Sequence, residues 1–249
     1  MRLLLFFVFE MQKIIFFLFI VYFNIIHVQA QTFVEMKQRY PVSMDSGRRV
    51  ITGFQPFSCS DDVIFSNTMK WVINDFCKEK RDEMFDIFVN KKSFSFNMTL
   101  EYSANGKVKY VFFCKANIKV VEGKLVYTLY DIQYKSSSII SFSQVISLDK
   151  LTPEKKEKHK EVILAFQELA SAKLNQMFDA VIENQCAAIT HWSDINIQRP
   201  VKGMNEDECL LAFGKPTNNY EDNHNRIQWS YGLNFILIFK EGKLETIIK

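Results

Sequence analysis

Strict alternation of side-chain type over two consecutive stretches constrains this chain more than any other feature. In Ser93–Tyr102 and again in Lys107–Val120, apolar residues occupy every second position. A period of two is typical of antiparallel strands that bury one face and expose the other. We therefore predict a large antiparallel sheet with one buried face. The predicted inward residues are Phe94, Phe96, Met98, Leu100, Tyr102, Val108, Tyr110, Phe112, Cys114, Ala116, Ile118 and Val120.

The short connection at 104–106 decides how the two strands pair. A two-residue turn at Asn105-Gly106 would place Tyr102 on the polar, lysine-bearing face, because a shift of one residue moves side chains to the other face. A three-residue loop instead stacks Tyr102 over Val108. We predict the three-residue loop, with Gly106 in the left-handed conformation. The same register argument predicts that the next strand points Val126, Tyr130, Ile132 and Tyr134 inward.

Two predicted helices accompany the sheet. The first covers about 60–78, with Ser60 or Asp61 as its N-cap and apolar residues at helical spacing. The second covers about 152–184 and begins at Thr152, followed by a proline that suits the first helical position. Flanking strands are predicted at Arg49–Phe57 and Phe85–Asn90. Strands and helices in separate runs indicate the α+β class.

The C-terminal part opens with the stretch "KGMNEDECLLAFGKP", Lys202–Pro216. Asn205 is the predicted N-cap of a short helix, and Glu208 completes a capping-box pair. Gly214 is predicted to end the helix in a left-handed conformation. Acidic residues crowd the start of this helix, which argues against phosphate binding there. Three strands are predicted to follow.

The N-terminal 1–30 segment has the features of a secretory signal peptide. Lys13 precedes an apolar run, Ile14–Ile26, and the segment ends in Val28-Gln29-Ala30. We predict cleavage between Ala30 and Gln31. A membrane anchor is the alternative, but a span needs about 20 apolar residues. Either Met1 or Met11 is the initiating methionine. Residues 31–49, which follow the signal segment, are predicted to be flexible.

Residues 50–186 are predicted to form the first domain, which resembles an uncharacterised exported Bacteroidetes domain family with a TBP-like fold. The resemblance covers about 50–184. It rests on the helix "SNTMKWVINDF", the long alternating strands, the segment Leu125–Ile132 and the long closing helix. It implies an antiparallel sheet packed by helices. A linker at 187–199 is predicted to follow.

Residues 200–249 resemble the SmpA/OmlA, or BamE-like, family of small outer-membrane-assembly lipoproteins. The motif consists of Gly203-Met204, the capped helix, Gly214-x-Pro216, the aromatic strand "QWSYG" and the final hairpin "FILIFKEGKLETII". The resemblance implies a helix plus a three-stranded antiparallel unit and a role in envelope protein–protein interaction. Unlike that family, this chain has no cysteine after the signal segment until Cys59, so it is not predicted to be a lipoprotein.

Residues with catalytic or metal-binding potential are few. The histidines His27, His159, His191 and His224 show no zinc-ligand spacing. We predict that Glu221–Asn225 ("EDNHN") is a polar loop. We predict another loop at Thr190–Asp194 ("THWSD"), with Trp192 packed against the C-terminal unit, because consecutive residues rarely form a triad. No catalytic, cofactor-binding or metal-binding residue is assigned, and no cofactor is predicted.

The lysines at 107, 109, 115 and 119 form a candidate basic face. Nucleic-acid binding is not predicted for three reasons: the formal net charge is only +3, the aromatic residues are expected on the opposite face, and the chain is expected to be exported. A solvated strand face is the simpler interpretation.

An odd number of cysteines in a chain expected to be exported leaves at least one thiol free. The five are Cys59, Cys77, Cys114, Cys186 and Cys209. Their pairing stays open, and buried free thiols are the default interpretation for most of them.

Taken together, these features predict a non-catalytic exported protein of the bacterial cell envelope that acts as a protein–protein interaction or assembly module. It would lie in the periplasm or be secreted, and would touch a membrane only peripherally. One alternative is a soluble inhibitor or ligand-binding module, because β-lactamase inhibitor proteins resemble the same small fold. Another is an enzyme whose site is built from scattered residues. The partner and the oligomeric state stay open.

Overall fold

The alternating stretches form the centre of a seven-stranded antiparallel sheet. A computed structural model describes residues 40–104, 107–136, 145–183, 188–222 and 226–249. The strand order is β1-β2-β6-β5-β4-β3, with β7 beside β6. The strands are β1 (Ser43–Asp45), β2 (Arg48–Pro56), β3 (Met84–Phe88), β4 (Ser93–Ala104), β5 (Lys107–Val121), β6 (Lys124–Ser136) and β7 (Ile146–Ser147). The α+β class is thereby confirmed.

The inward faces of β4 and β5 are as predicted. Residues 94, 96, 98 and 100, and the even residues from 110 to 120, are all buried. They pack against two helices, with ring centroids of Phe65 and Phe94 at 5.8 Å and of Phe112 and Phe166 at 5.4 Å. The alternation of apolar and polar residues therefore predicted the core of the sheet correctly.

The predicted three-residue loop between β4 and β5 is wrong. Ala104 pairs with Lys107 across a two-residue connection, and a bulge at Lys109 then shifts the register so that Tyr102 pairs with Tyr110. Tyr102 still stacks on an inward residue, at 6.1 Å between ring centroids. The bulge, and not the turn, supplies the extra residue that the alternation requires. The conformation of Gly106 lies outside the described residues.

A second bulge corrects the prediction for β6. Phe113 pairs with Gln133 and Lys115 with Tyr130, so Asp131 and Ile132 together face one residue of β5. Asp131 has a φ of 53°. Ile132 and Tyr134 point inward as predicted. Before the bulge, however, the inward residues are Leu125, Tyr127 and Leu129 rather than Val126 and Tyr130.

Both long helices exist, and one begins later than predicted. Helix α1 (Asp61–Asp75) has Ser60 as its N-cap, whose hydroxyl accepts from the Val63 N–H. Helix α2 (Glu157–Glu183) starts one turn after the predicted Thr152 cap. The Thr152 N–H donates to His159 Nδ1 at 2.9 Å, and Thr152 forms a separate turn before the helix.

The C-terminal part contains two short helices and a four-stranded antiparallel sheet of order β11-β10-β9-β8. The three-strand prediction missed β8. The short helix α3 lies in the predicted linker, whose position as a domain boundary stays a prediction. The elements are α3 (Trp192–Asn196), α4 (Glu206–Phe213), β8 (Asn218–Glu221), β9 (Arg226–Ser230), β10 (Ile236–Lys240) and β11 (Lys243–Ile248).

Helix α4 begins with the predicted cap, but the conformation at its end differs from the predicted one. The Asn205 side chain accepts from the Glu208 N–H, and the Glu208 carboxylate accepts from the Asn205 N–H, so the capping box is confirmed. Gly214 has a positive φ of 77°, but its ψ of −161° is extended rather than left-handed helical. In this helix Cys209, Leu211 and Phe213 are buried and Leu210 is half-buried.

Residues Tyr40–Lys249 form one compact unit in which the two sheets share a continuous core. Lys70 of α1 contacts Asp207 of α4 at 2.5 Å. The backbones of Lys80 and Lys215 exchange hydrogen bonds of 3.1 and 3.3 Å.

The prediction that residues 31–49 are flexible is wrong for part of that segment, because β1 and β2 form a hairpin there. Residues 31–39 lie outside the described part.

Thiol reactivity offers a simple test of this packing. Burial raises the pKa of Cys114 and of Cys209 to about 12, and also raises the pKa of Cys77. Cys59 is partly exposed. Of these four thiols, we expect only Cys59 to react quickly with iodoacetamide in the native protein. Mass spectrometry of tryptic peptides checks this. Fast labelling of Cys114 before denaturation would contradict the described core.

Candidate functional site

The most concentrated polar cluster centres on the carboxylate of Glu208. Its side chain is fully buried. Oε1 accepts from the Thr190 N–H at 2.6 Å, the His191 N–H at 3.0 Å and the Thr190 hydroxyl at 3.0 Å. Oε2 accepts from the Asn205 N–H at 2.8 Å. One carboxylate thereby fastens the 188–191 segment to the start of α4.

The protonation of Glu208 follows from these contacts. Burial alone raises the pKa of a carboxyl group. The N–H groups of Thr190, Asn205 and His191 outweigh it and lower the pKa of Glu208 to about 2. The carboxylate is therefore charged at neutral pH and is a poor general base.

Glu208, His191 and Thr190 do not have the geometry of a catalytic triad. A triad needs the acid on one imidazole nitrogen and the nucleophile on the other. Here His191 Nδ1 lies 3.0 Å from Glu208 Oε1 and 3.1 Å from the Thr190 hydroxyl, so both partners share one nitrogen. The cluster is a structural lock between segments.

The remaining residues of "THWSD" are also structural. Asp194 is buried and pairs with Arg199 at 2.5 Å. Trp192 begins α3, and its ring lies 5.7 Å from Phe65 of α1. Trp192 therefore packs on the first helix, and its predicted packing against the C-terminal unit stays a prediction.

The other candidate positions are scattered. His159 accepts a hydrogen bond at the start of α2. Ala30, Gln31, His27, Cys186 and His224 lie outside the described residues, so the proposed cleavage site and part of "EDNHN" stay predictions. Within the described ranges, no three His, Cys, Asp or Glu side chains converge as metal ligands would. The helices of those ranges include none that is long and apolar enough to cross a bilayer.

The outward surface of the large sheet is hereafter called the open face. Both helices lie on the opposite side, as the buried inward residues show. Phe54 is 61% exposed beside the half-buried Val126, and Phe113 and Tyr130 are half-buried farther along the same face. The register places Phe54 beside Val126 and Phe113 beside Gln133. The prediction that aromatic residues avoid the lysine face is therefore wrong at three positions.

The open face also carries positive charge. Lys124 Nζ lies 5.6 Å from the Phe54 ring centroid, and Lys135 Nζ lies 5.6 Å from that of Phe113. Lys115 pairs with Asp131 at 2.9 Å. No ion pair is found for Lys119, Lys124 or Lys135 among the described residues, so cations outnumber free acids on this surface.

A second concave feature, hereafter the aromatic cleft, opens beside the end of α4. Three rings contact one another there, with centroid separations of 5.9 Å for Phe213–Tyr231, 5.3 Å for Phe213–Phe235 and 5.4 Å for Tyr231–Phe235. The cleft has a volume of about 380 Å³. It is lined by Lys80, Gln198, Pro200, Phe213, Tyr231, Phe235 and Lys249.

Sequence reasoning predicted lysines of the open face but missed its aromatic residues, and it missed the aromatic cleft. The outward position of Tyr130 required the position of the Asp131 bulge. The aromatic cleft joins residues that are far apart along the chain, such as Lys80, Gln198 and Phe235. The only sequence signal for the cleft was the concentration of aromatic residues between Phe213 and Phe239.

Comparisons with known proteins give structural neighbours only. No family model matches the chain, and no curated protein does. A TBP-like protein from Parabacteroides distasonis is similar at a TM-score of 0.49 and 13% identity, over 58% of this chain and 99% of that one. A DUF4468 family protein from Bacteroides ovatus is similar at a TM-score of 0.42 and 12% identity, over 57% and 88%.

The BamE-like character of the C-terminal part stays a prediction.

Proposed function

We propose that this chain is a non-catalytic, exported protein of the bacterial cell envelope that binds another protein through the open face. The observation that carries the proposal is the aromatic surface of the open face, where Phe54 is exposed, Phe113 and Tyr130 are half-buried, and lysines lie against the rings of Phe54 and Phe113. Large exposed apolar patches with polar rims mark interaction sites on soluble proteins.

The charge of the open face indicates which charge the partner carries at the interface. Lys119 lies beside Val126, Lys124 over Phe54 and Lys135 over Phe113, and none of the three has an ion-pair partner among the described residues. An acidic rim on the partner would pair with them, and apolar groups would cover the rings. Rim charges act mainly on the association rate and on specificity, while the buried aromatic groups supply most of the affinity.

A site-specific crosslinker tests this function. A photoreactive phenylalanine analogue at position 54 should capture one discrete protein in the envelope of the native host. Leu164 on α2 is 47% exposed on the opposite side and is the matched control position. Adding Lys119→Glu and Lys135→Glu to the position-54 chain should reduce the crosslink at least tenfold, because like charges now oppose the acidic rim.

Equal crosslinking from positions 54 and 164 would contradict the proposal. So would a crosslinked nucleic acid in place of a protein, or a crosslink that survives the two charge reversals. Mass spectrometry of the same material should find a mature chain beginning at Gln31. A chain that retains residues 11–30 would mean an anchored protein.

A further inference from the structure

We infer that the aromatic cleft binds a small carboxylate with an aromatic or branched aliphatic body. The inference goes beyond the proposed function, because it concerns a different surface and a small ligand. Four observations carry it: the volume of the cleft, its apolar floor, the sign of its charge and the fixed backbone of its walls.

The volume limits the ligand. Ligand pockets range from about 300 to 1,000 Å³. At about 380 Å³, the cleft accepts one ring or branched chain with a short polar group.

The floor of the cleft is apolar and held in place. The Tyr231 hydroxyl, the polar atom of the three rings, donates to the Gly214 carbonyl at 3.0 Å. Burial raises the pKa of Tyr231, so this phenol stays neutral. The rings therefore offer the ligand apolar surface and no negative charge.

The charged residues that line the cleft are Lys80 and Lys249. Among the described residues no acidic side chain lines the cleft, and neither lysine has an ion pair. An ammonium beside an apolar floor favours a ligand whose carboxylate forms a charge-assisted hydrogen bond. A cationic ligand would be repelled.

The walls of the cleft are set before any ligand arrives. Lys80 and Gln198 have φ values of 51° and 53°, which non-glycine residues seldom adopt. The backbone of Lys80 is fixed by its two hydrogen bonds to Lys215. Gln198 Nε2 donates to the Ala212 carbonyl at 3.2 Å. Sparsely populated backbone conformations concentrate at ligand sites.

The test uses N-acetyl-phenylalanine as probe and its neutral amide as the matched control ligand. Ligand-observed NMR with the full chain at low salt should show the carboxylate binding at least five times more tightly than the amide. Replacing both lysines (Lys80→Gln with Lys249→Gln) should weaken carboxylate binding at least fivefold. Lys240→Gln, an exposed lysine outside the cleft, should leave it unchanged.

Three results would overturn the inference: no binding of the probe, equal binding of acid and amide, or carboxylate binding that is unchanged when both lysines are replaced. The Lys119→Glu, Lys135→Glu chain separates this inference from the proposed function. It should lose the protein crosslink and keep the affinity for N-acetyl-phenylalanine.

Discussion

Replacing Gly214 with alanine is expected to destabilise the protein by about 4 kcal/mol, which is a large part of the stability of an ordinary domain. A Cβ at this position would lie 1.8 Å from both the carbonyl carbon and the oxygen of Lys80. These are backbone atoms, so no side-chain rotation relieves the overlap. The φ of 77° and ψ of −161° are also essentially confined to glycine.

Relief of that overlap requires the backbones of Lys80 and Lys215 to separate. Their two mutual hydrogen bonds would be lost, at about 1 kcal/mol each. The backbone conformation itself costs about 1–3 kcal/mol for a residue with a side chain. The end of α4 and one wall of the aromatic cleft would move together.

Gly232→Ala is the matched control for this prediction. Gly232 has a similar φ of 74°, but no atom of the described residues lies within 4 Å of an added Cβ. We expect that variant to cost about 1 kcal/mol. Urea unfolding followed by circular dichroism measures both. Similar midpoints for the two variants would show that the chain does not make the close approach between Gly214 and Lys80.

The core of the large sheet was predictable because its signal is local and repeated. Every second residue from 94 to 100 and from 110 to 120 is apolar, and a slip would expose all of them together. The helix caps at Ser60 and Asn205 were predictable for a similar reason, since a cap is decided by side chains within three residues.

The two bulges were not predictable, because one extra residue satisfies the alternation wherever it is placed. The turn at 104–106 and the bulge at Lys109 both bring Tyr102 to the core side, and the local sequence does not choose between them. The Asp131 bulge depends on its partner strand, where Lys115 pairs with the aspartate. The Asp131 bulge is the reason that Tyr130 lies on the open face.

Glu208 makes one contact that its local sequence predicts and others that it does not predict. The Asn205–Glu208 pair follows from their spacing. The contacts of Glu208 with Thr190 and His191 join segments 17 and 18 residues apart, and nothing in the spacing indicates them. A motif that looked complete as a helix cap was therefore half of a larger structural lock.

Removal of this lock is the second large effect we expect. Glu208→Ala removes the acceptor of three N–H groups, those of Thr190 and His191, which are partly buried, and that of Asn205, which is buried. This should cost about 4 kcal/mol. Glu206→Ala, in the same helical turn, is the control and should cost under 1 kcal/mol. Equal losses of stability in urea unfolding would refute the structural role of Glu208.

The charge of Glu208 adds a dependence on pH. Its pKa falls from 4.5 in the unfolded chain to about 2 in the folded protein, so the folded state favours the carboxylate. The resulting stability is fully present above pH 4.5 and is lost as the pH falls from 4.5 towards 2. It amounts to about 3 kcal/mol, since each pKa unit corresponds to about 1.4 kcal/mol.

Glu208→Gln separates the charge from the shape of the side chain. The amide oxygen can still accept from Thr190 and His191, but the amide nitrogen then faces the Asn205 N–H, and two donors oppose each other. We expect this variant to fold with reduced stability at pH 7 and to lose much less stability between pH 4.5 and 2 than the unaltered chain. An identical acid response in both chains would mean that other carboxylates govern it.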